Sequence, residues 1–539
     1  MANVGFYGSH NACIVIEKEG KITLVLEIER ILNFKNGGVA QYKTVRSDFI
    51  NPLVIYLRDY ILKAAGVSKF ETCYHMNTDV IIDNVKYELE KIIPADNYVY
   101  GKHHQSHAAG SFYQSPFKKA LAFSFDGGGN DGFFNIYYAT RSNSVKLLES
   151  VKSPVSESPH MFYDLGFPYM LIGNYLKDIR LEPLSEGNLV WPGKVMGLVS
   201  YGQVRQEWVK PFIDYYKSQP EGSDYLQKIE VLSKDIGLEL TTENRLEGQT
   251  AYDFAATSQH AFEECFIEVV KPYIEQYKDI PIIMSGGCSL NIILNTRIKK
   301  EFNREVFVGP NPNDCGLAAG LLLHQSKPQK QVDLTYSGPE LLDYNNLGNY
   351  LQNYPYNLEL TIEDSNEVAK DLAEGKIIGV ARETSEHGPR ALGNRSILCN
   401  PAIIEMKDIL NSKVKNREWY RPFAPVVRLE DVSTYFEWEG ESRWMSFCPN
   451  VKEEWREKLP SITHVDGTAR VQTVTKEQNP WLYNLLTLFH NKTGIGVLLN
   501  TSFNLNGKPI LSTVADAFEI LTNSQLDSLI IEKYYINKK

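Results

Sequence analysis

Two histidines one helical turn apart, His103 and His107 in the stretch YVYGKHHQSHAAGSFY (98–113), can present both imidazoles on one face, where two ring nitrogens can share a metal ion. A bare His-x-x-x-His is more often a pair of surface or core histidines. Two carboxylates raise its meaning. Asp126 closes an apolar strand at Gly127-Gly128-Gly129, and Asp314 stands at a loop-to-helix boundary in Asn313-Asp314-Cys315-Gly316. Two imidazoles with two carboxylates suit a divalent transition ion that also holds nucleotide phosphates. The competing reading of each aspartate is a turn or cap residue, the commoner fate of Asp before Gly.

The densest chemistry lies further on, in Glu386-His387-Gly388-Pro389-Arg390-Ala391-Leu392-Gly393-Asn394-Arg395-Ser396, followed by Lys413, Lys415, Arg417 and Arg421. Planar guanidinium forks around a glycine turn match the oxygens of a small doubly charged substrate such as an acyl phosphate. Lys407 and Lys413 read equally well as a solvated basic helix face. Arg390 and Arg395 sit in a Gly-Pro turn instead. Arg470, in His464-Val465-Asp466-Gly467-Thr468-Ala469-Arg470, follows another turn, and Asn500-Thr501-Ser502-Phe503-Asn504 follows an apolar strand, at the carboxyl end where α/β ligands bind.

The elements that must hold these residues begin at 4–7, 12–16 and 22–28, which read as strand, tight turn, strand and strand, and the same grammar returns at 120–125 and 133–139. Two copies predict a duplicated nucleotide-binding architecture whose glycine turns reach toward phosphate. Helical spacing marks 51–66 and 83–93. The apolar strand at 280–284 runs into Ser285-Gly286-Gly287-Cys288-Ser289 and then a helical stretch at 290–300, a natural nucleotide site. Gly127 to Gly129 precede a strand rather than a helix, so they are no dinucleotide fingerprint. The Gly187 to Lys194 spacing is one residue too long for a P-loop, with Val195 where Ser or Thr is required, although Lys194 can still touch phosphate. The polar stretch 325–339 is expected to be a linker, and beyond it strands at 377–381, 496–499 and 528–532 alternate with helices at 406–417, 481–490 and 514–521, a second α/β domain.

At 539 residues, 43% hydrophobic and 23% charged, the chain is a globular protein of two or more domains. Seven scattered cysteines with no Cys-x-x-Cys argue against a disulfide framework and a zinc knuckle. A net charge of −10 disfavours a mainly electrostatic grip on nucleic acid. The first residues lack a basic leader before an apolar run and no stretch reaches membrane-spanning length, so a cytoplasmic location is expected, the host cytoplasm if the source is viral.

Ten ordered blocks resemble the NodU and CmcH type of O-carbamoyltransferase through nearly the whole chain. They are GSHNA around His10, HHQSHAAGSFY, the Asp126 turn, GKVMGLVSYG (193–202), SGGCSLN (285–291), NDCG, GPRALGNRSIL (388–398), KVKNREWYRPFAP (413–425), HVDGTARVQ (464–472) and NTSFN. Asn130 stands where the family commonly carries an acidic residue, with Asp131 following, and His387 stands where an aromatic residue is usual. The resemblance implies an α/β chain with two domains. Residues 1–330 would form a duplicated actin- and sugar-kinase-like domain, similar to the tRNA threonylcarbamoyl-transfer enzymes, that binds metal and nucleotide and transfers the carbamoyl group. Residues 331–539 would form a YrdC-like domain that makes carbamoyl-AMP from carbamoyl phosphate and ATP.

By the same resemblance, Arg390, Arg395, Lys415, Arg421 and Arg470 would bind carbamoyl phosphate and ATP. Lys194, Gly127, Gly286, Gly287, Asn291, Ser502 and Asn504 would complete the nucleotide contacts. His103, His107, Asp126 and Asp314 would hold Fe(II), with Mg2+ as a further ion, and His10 near the acceptor would be the general base, since imidazole titrates near neutrality. The expected acceptor is the 5-hydroxymethyl group of a modified pyrimidine in DNA, as in some viral members. The motivation is a composition rich in residues with AT-rich codons, 31 tyrosines among them, and aromatic residues (Tyr113, Phe162, Tyr163, Phe167, Tyr169) able to stack on an extruded base. The alternatives are a small-molecule sugar or natural-product hydroxyl, core roles for those aromatic residues, threonylcarbamoyl-type tRNA modification, and an actin-like ATP-binding module without group transfer.

Overall fold

The computed structural model describes residues 2–37, 52–76, 89, 93–150, 165–179, 188–218, 225–353 and 358–538. Two five-stranded sheets dominate the N-terminal part. In the first, β1 (Ala2–Tyr7), β2 (Cys13–Lys18) and β3 (Lys21–Glu27) form an antiparallel meander, and β4 (Phe70–Met76) and β5 (Ala95–Tyr100) extend it parallel to β1, giving the order β3-β2-β1-β4-β5. The second repeats the plan. There β6 (Lys119–Gly129), β7 (Gly132–Thr140) and β8 (Ser144–Ser150) are antiparallel, with β9 (Ile282–Ser285) parallel to β6 and β10 (Val306–Val308) parallel to β9. The same order and the same strand senses recur, so the repeated strand-turn-strand grammar is a duplicated sheet.

Between the two sheets lie the helices His103–Gln114 and Leu317–Ser326, packed on each other. Their approach is close because Ala108, Ala109, Ala318 and Ala319 are fully buried and small, and because Gly320 carries no side chain: a Cβ there would stand 2.0 Å from the Ser106 carbonyl oxygen. That packing draws the first turn of one helix, with His103 and His107, against the Asp314 turn that leads into the other. The turn between β6 and β7 caps the histidine-bearing helix. Asn130 Oδ1 accepts the His103 N–H at 2.9 Å, and the Asp131 carboxylate accepts the N–H groups of His104 and Gln105 at 2.8 and 3.3 Å. An acceptor and a negative charge at a helix N-terminus are both stabilising.

The third sheet has eight strands in the order β11-β18-β17-β12-β13-β16-β14-β15. Its members are β11 (Leu358–Ile362), β12 (Ile378–Ala381), β13 (Arg395–Cys399), β14 (Ala424–Arg428), β15 (Gln472–Val474), β16 (Val497–Ser502), β17 (Ser528–Ile531) and β18 (Tyr534–Lys538). The helices Pro480–Thr493 and Val514–Asn523 lie near their expected positions, and so does the N-terminal helix Pro52–Ala65. The helix expected at 83–93 falls mostly outside the described residues.

Two expectations change. The helix predicted over 406–417 is one turn, Met406–Ile409, followed by a π-turn at Leu410–Val414, after which the Lys415 N–H bonds back to the Leu410 carbonyl. A widened turn of this kind re-aims the side chains that follow it. The polar stretch at 325–339 has no regular structure after Ser326, as expected of a linker, yet it is fastened on both sides. Val332 N–H donates to Tyr113 O and Val25 N–H to Ser337 O, while Gly338 N–H donates to Ser385 O and His387 N–H to Thr335 O. Among the described residues no helix is long and apolar enough to cross a membrane.

Candidate active site

The carboxyl ends of β1, β6, β9 and β10 converge. The chain leaves β1 toward His10, β6 ends at Asp126 to Gly129, β9 runs into Gly286-Gly287, and the segment after β10 leads to Asp314. Here the structure brings together His103, His107, Asp126 and Asp314, with one ligand atom from each lying within 4.8 Å of the others. The two Nε2 atoms are 3.1 Å apart, and His107 Nε2 is 3.3 Å from both Asp126 Oδ2 and Asp314 Oδ1. His103 Nε2 is 3.8 and 3.7 Å from the same two oxygens. Among the described residues neither Nδ1 atom, both buried, has a hydrogen-bond partner. Two imidazole nitrogens and two carboxylate oxygens converging in this way fit a divalent transition ion.

Without an ion, a proton on His107 answers the two carboxylates. Burial pushes the His107 imidazole down, but the hydrogen bonds and charges of Asp126 and Asp314 outweigh it and raise its pKa to about 9. Asp126 is held well below the usual carboxylate range although burial opposes it, because His103 and His107 favour its charged form. The glycines expected at phosphate serve Asp126: Gly127 N–H donates to Oδ1 at 2.7 Å and Gly287 N–H to Oδ2 at 2.6 Å. Gly286 forms the turn before it. Asp314 turns its second oxygen the other way, accepting from Tyr7 OH at 2.6 Å and standing 3.1 Å from His10 Nε2. The His10 side chain is 40% exposed, at the open side of the quartet. His104, between the two candidate ligands, faces elsewhere. Its ring bonds Ser124 Oγ and the Gly132 carbonyl, and burial pushes its pKa to about 4, so it is a neutral tie between the helix and β6 and β7.

A second centre gathers cations around the end of β16. Burial lowers the pKa of Arg390 to about 10, with Arg421 pushing the same way, and Arg470 is lowered well below its usual range by burial and by Arg390 and Arg421. Arg417 and Lys415 are lowered likewise, by burial first and then by their cationic neighbours. Lys415 Nζ is seated on Asn504 Oδ1 and the Ser502 and Asn504 carbonyls. The π-turn makes this possible by ending the helix just before Lys415. Glu418 supplies one compensating charge, 3.5 Å from Arg421. A crowd of cations that depress one another's charged forms is a standing demand for an anion.

Several expected ligand contacts are spent elsewhere. Arg395 is fully buried and donates to the carbonyls of Arg382, Glu383, Asn394 and Pro339, so it braces its loop and is not brought into the cluster. A buried guanidinium satisfied by main-chain oxygens looks, in sequence, the same as one aimed at phosphate. Lys194 pairs with Glu418 at 2.5 Å. Asn291 caps the Ile292–Phe302 helix and bonds Gln259. Lys413 is exposed, as the solvated reading had it, and Lys407 reaches Tyr201 OH. Tyr113 and Tyr169 are buried at 0% and 4% exposure, which corrects their expected stacking on a base: they are core residues. Phe167 is half-buried, and Phe162 and Tyr163 lie outside the described residues. Sequence reasoning missed Tyr7 and Asn311, whose partners are far away in the chain, and Glu418, which joins the distant Lys194 to the nearby Arg421.

Comparison with known proteins identifies the family of the chain. The family model described as carbamoyltransferase N-terminus matches residues 23–323, and that described as carbamoyltransferase C-terminus matches residues 369–538. The nodulation protein NolO of Bradyrhizobium diazoefficiens is 32% identical over 461 residues, covering 81% of this chain and 79% of that protein. The nodulation protein NolNO of Sinorhizobium fredii is 29% identical over 98% of this chain and 79% of its own length. A 3'-hydroxymethylcephem-O-carbamoyltransferase of Streptomyces clavuligerus is 34% identical over half of each chain. With both family models matched in order over most of its length, the chain belongs to the carbamoyltransferase family and is an enzyme of that class.

Proposed function

We propose that the chain joins carbamoyl phosphate and ATP into carbamoyl-AMP at the basic cluster, in residues 331–539, and passes the carbamoyl group to an acceptor hydroxyl at the His and Asp quartet, in residues 1–330. The observation that carries this reading is the gathering of Arg390, Lys415, Arg417, Arg421 and Arg470, of which Arg390, Lys415, Arg417 and Arg470 are pushed toward their neutral forms by burial and by cationic neighbours, so that a multiply charged anion would offset them. Both substrates carry such groups. Atom balance consumes one water and releases phosphate from carbamoyl phosphate and pyrophosphate from ATP. Arg390, Arg421 and Arg470 bind the phosphate oxygens and offset the charge that develops on the leaving groups, and Lys415 is held in place by Ser502 and Asn504.

His103, His107, Asp126 and Asp314 hold a divalent ion, of the iron type by the resemblance, which when bound supplies Lewis-acid stabilisation to a nucleotide phosphate. His10 stands with Nε2 3.1 Å from an Asp314 oxygen and Nδ1 3.5 Å from Ser9 Oγ, and its ring takes the proton of the acceptor hydroxyl. The transfer breaks the bond between the carbamoyl carbon and AMP and forms the carbamate ester.

The acceptor we favour is a small-molecule hydroxyl, supported by the relatives named as acting on a hydroxymethylcephem. Of the three described aromatic residues that motivated hydroxymethylpyrimidine DNA, Tyr113 and Tyr169 are core and Phe167 is half-buried, and the net charge of −10 offers a duplex little attraction. The test is pyrophosphate release on mixing the protein with ATP and carbamoyl phosphate, followed by mass analysis with sugar hydroxyls, a hydroxymethyl heterocycle and hydroxymethylcytosine DNA in separate arms. Turnover with threonine and bicarbonate but not with carbamoyl phosphate would overturn the reading in favour of tRNA modification. A carbamoyl mass on DNA alone would overturn the choice of acceptor.

A further inference from the structure

The loop that carries Arg390 is gripped from two sides by the N-terminal part. On one side, Arg30 donates to the carbonyls of Glu386 and Gly388 at 2.6 and 2.7 Å, Glu27 accepts the Gly388 N–H at 2.8 Å, and Arg30 and Glu27 pair at 2.8 Å. On the other side stands His387, 1% exposed. Its Nε2 lies 2.8 Å from the carbonyl oxygen of Cys315, and its Nδ1 lies 2.6 Å from Asn311 Nδ2. A carbonyl only accepts and an amide NH2 only donates, so the ring is the neutral tautomer with its proton on Nε2. Burial keeps it neutral, pushing its pKa to about 4.

Both partners of His387 lead to the quartet. Cys315 follows Asp314 directly. Asn311 Oδ1 accepts from Gln114 Nε2 at 2.9 Å, and Gln114 is the last residue of the helix that carries His103 and His107. Asn311 and Gln114 are themselves buried at 4% and 2% exposure. One imidazole from the activating part thus bridges Asn311 and Cys315, the two flanks of the Asp314 turn, while Asn311 ties that turn to the end of the helix that supplies two of the quartet's side chains.

We propose that His387 is a positioning residue for the metal quartet, clamping the two flanks of the Asp314 turn, Asn311 and Cys315, so that Asp314 stays aimed at the imidazoles. This rests on the reading of the quartet as a metal site. A ring bonded at both nitrogens fixes distance and direction, so its loss lets the Asp314 turn drift from the imidazoles. Partners outside the ligand shell typically govern metal affinity by about 10- to 100-fold. Because Glu27 and Arg30 still hold Gly388, the loop stays docked when His387 is changed.

The test is Mn2+ affinity of the full chain, read from the free Mn2+ spectrum during titration, in the wild type, His387→Leu, His387→Gln and Asn311→Leu, with the thermal midpoint of each metal-free protein measured alongside. The expected result is about tenfold weaker binding in His387→Leu, most of the affinity restored in His387→Gln, which keeps one donor and one acceptor, and a loss in Asn311→Leu that does not add to that of His387→Leu. Should His387→Leu fail to fold, Asn311→Leu carries the same expectation. Wild-type affinity in the leucine variants, or His387→Gln as weak as His387→Leu, overturns the proposal alone. A wild type that binds neither Mn2+ nor Fe2+ overturns the metal reading and the proposal with it.

Discussion

Raising the pH from 7 to 9 should tighten metal binding by about two orders of magnitude. In the metal-free chain, His107 Nε2 lies 3.3 Å from an oxygen of each carboxylate. Burial lowers its pKa, but Asp126 and Asp314 raise it to about 9, so at neutral pH the quartet holds a proton where the ion would sit. An ion needs the lone pair that this proton occupies. At pH 7, two units below that pKa, displacing it costs ~2.7 kcal/mol, or about a hundredfold in apparent affinity. Affinity should therefore climb about one decade per pH unit and level off above about 9. The same shift fixes the sign for stability. The folded-state pKa is raised above the unfolded value, so His107 stabilises the metal-free fold fully below about 6.5 and this contribution is lost as the pH rises through about 9. Calorimetric titration with Mn2+ at pH 7, in buffers of different ionisation enthalpy, should report close to one proton released per ion. No proton released, or an affinity flat between pH 7 and 8.5, would refute the reasoning.

Three substitutions probe other parts of the account. Arg390→Ala should cut carbamoyl-AMP yield by about 10- to 150-fold, the equivalent of one charge-assisted contact at roughly 1.5–3 kcal/mol, and a wild-type yield measured by pyrophosphate release would remove Arg390 from the site. Gly388→Ala should lower the thermal midpoint sharply. The backbone there has φ +121°, and a Cβ would lie 2.1 Å from the Pro310 carbonyl oxygen, so strain of about 1–3 kcal/mol from the dihedral alone adds to a clash. Asp131→Ala, which uncaps the histidine-bearing helix, should cost about 1 kcal/mol in chemical denaturation while metal binding persists; lost metal would show that the cap also orients the ligands.

What sequence reading could reach depended on whether the physics was local. Strands such as β6 and the glycine turn after it declare themselves within a dozen residues, and so do two imidazoles at helical spacing. The duplication was visible because the same short pattern occurs twice. Long-range partners left no mark: Tyr7 and Asp314 bond across 307 positions, and the Lys194 to Glu418 pair joins segments with nothing in common in their composition. Arginines in one glycine-rich loop divide between two jobs. Arg390 joins other cations, whereas Arg395 turns inward to four carbonyls, and side-chain type alone does not distinguish them. Tyr113 and Tyr169 were misread for a related reason, because a Tyr that stacks on a ligand and one that fills a core are the same residue until burial is known.

The central claim is that one chain houses two separable half-reactions, activation at the cationic cluster and transfer at the His and Asp quartet. Carbamoyl phosphate labelled on carbon, supplied with ATP and a hydroxyl acceptor, tests it directly when label in carbamoyl-AMP and in product is followed in the wild type, Arg390→Ala and His103→Ala. The expected result is label in both species for the wild type, label in both reduced by about 10- to 150-fold for Arg390→Ala, and label in carbamoyl-AMP without product for His103→Ala. Product formed by His103→Ala at the wild-type rate, or by Arg390→Ala without any carbamoyl-AMP, would contradict it.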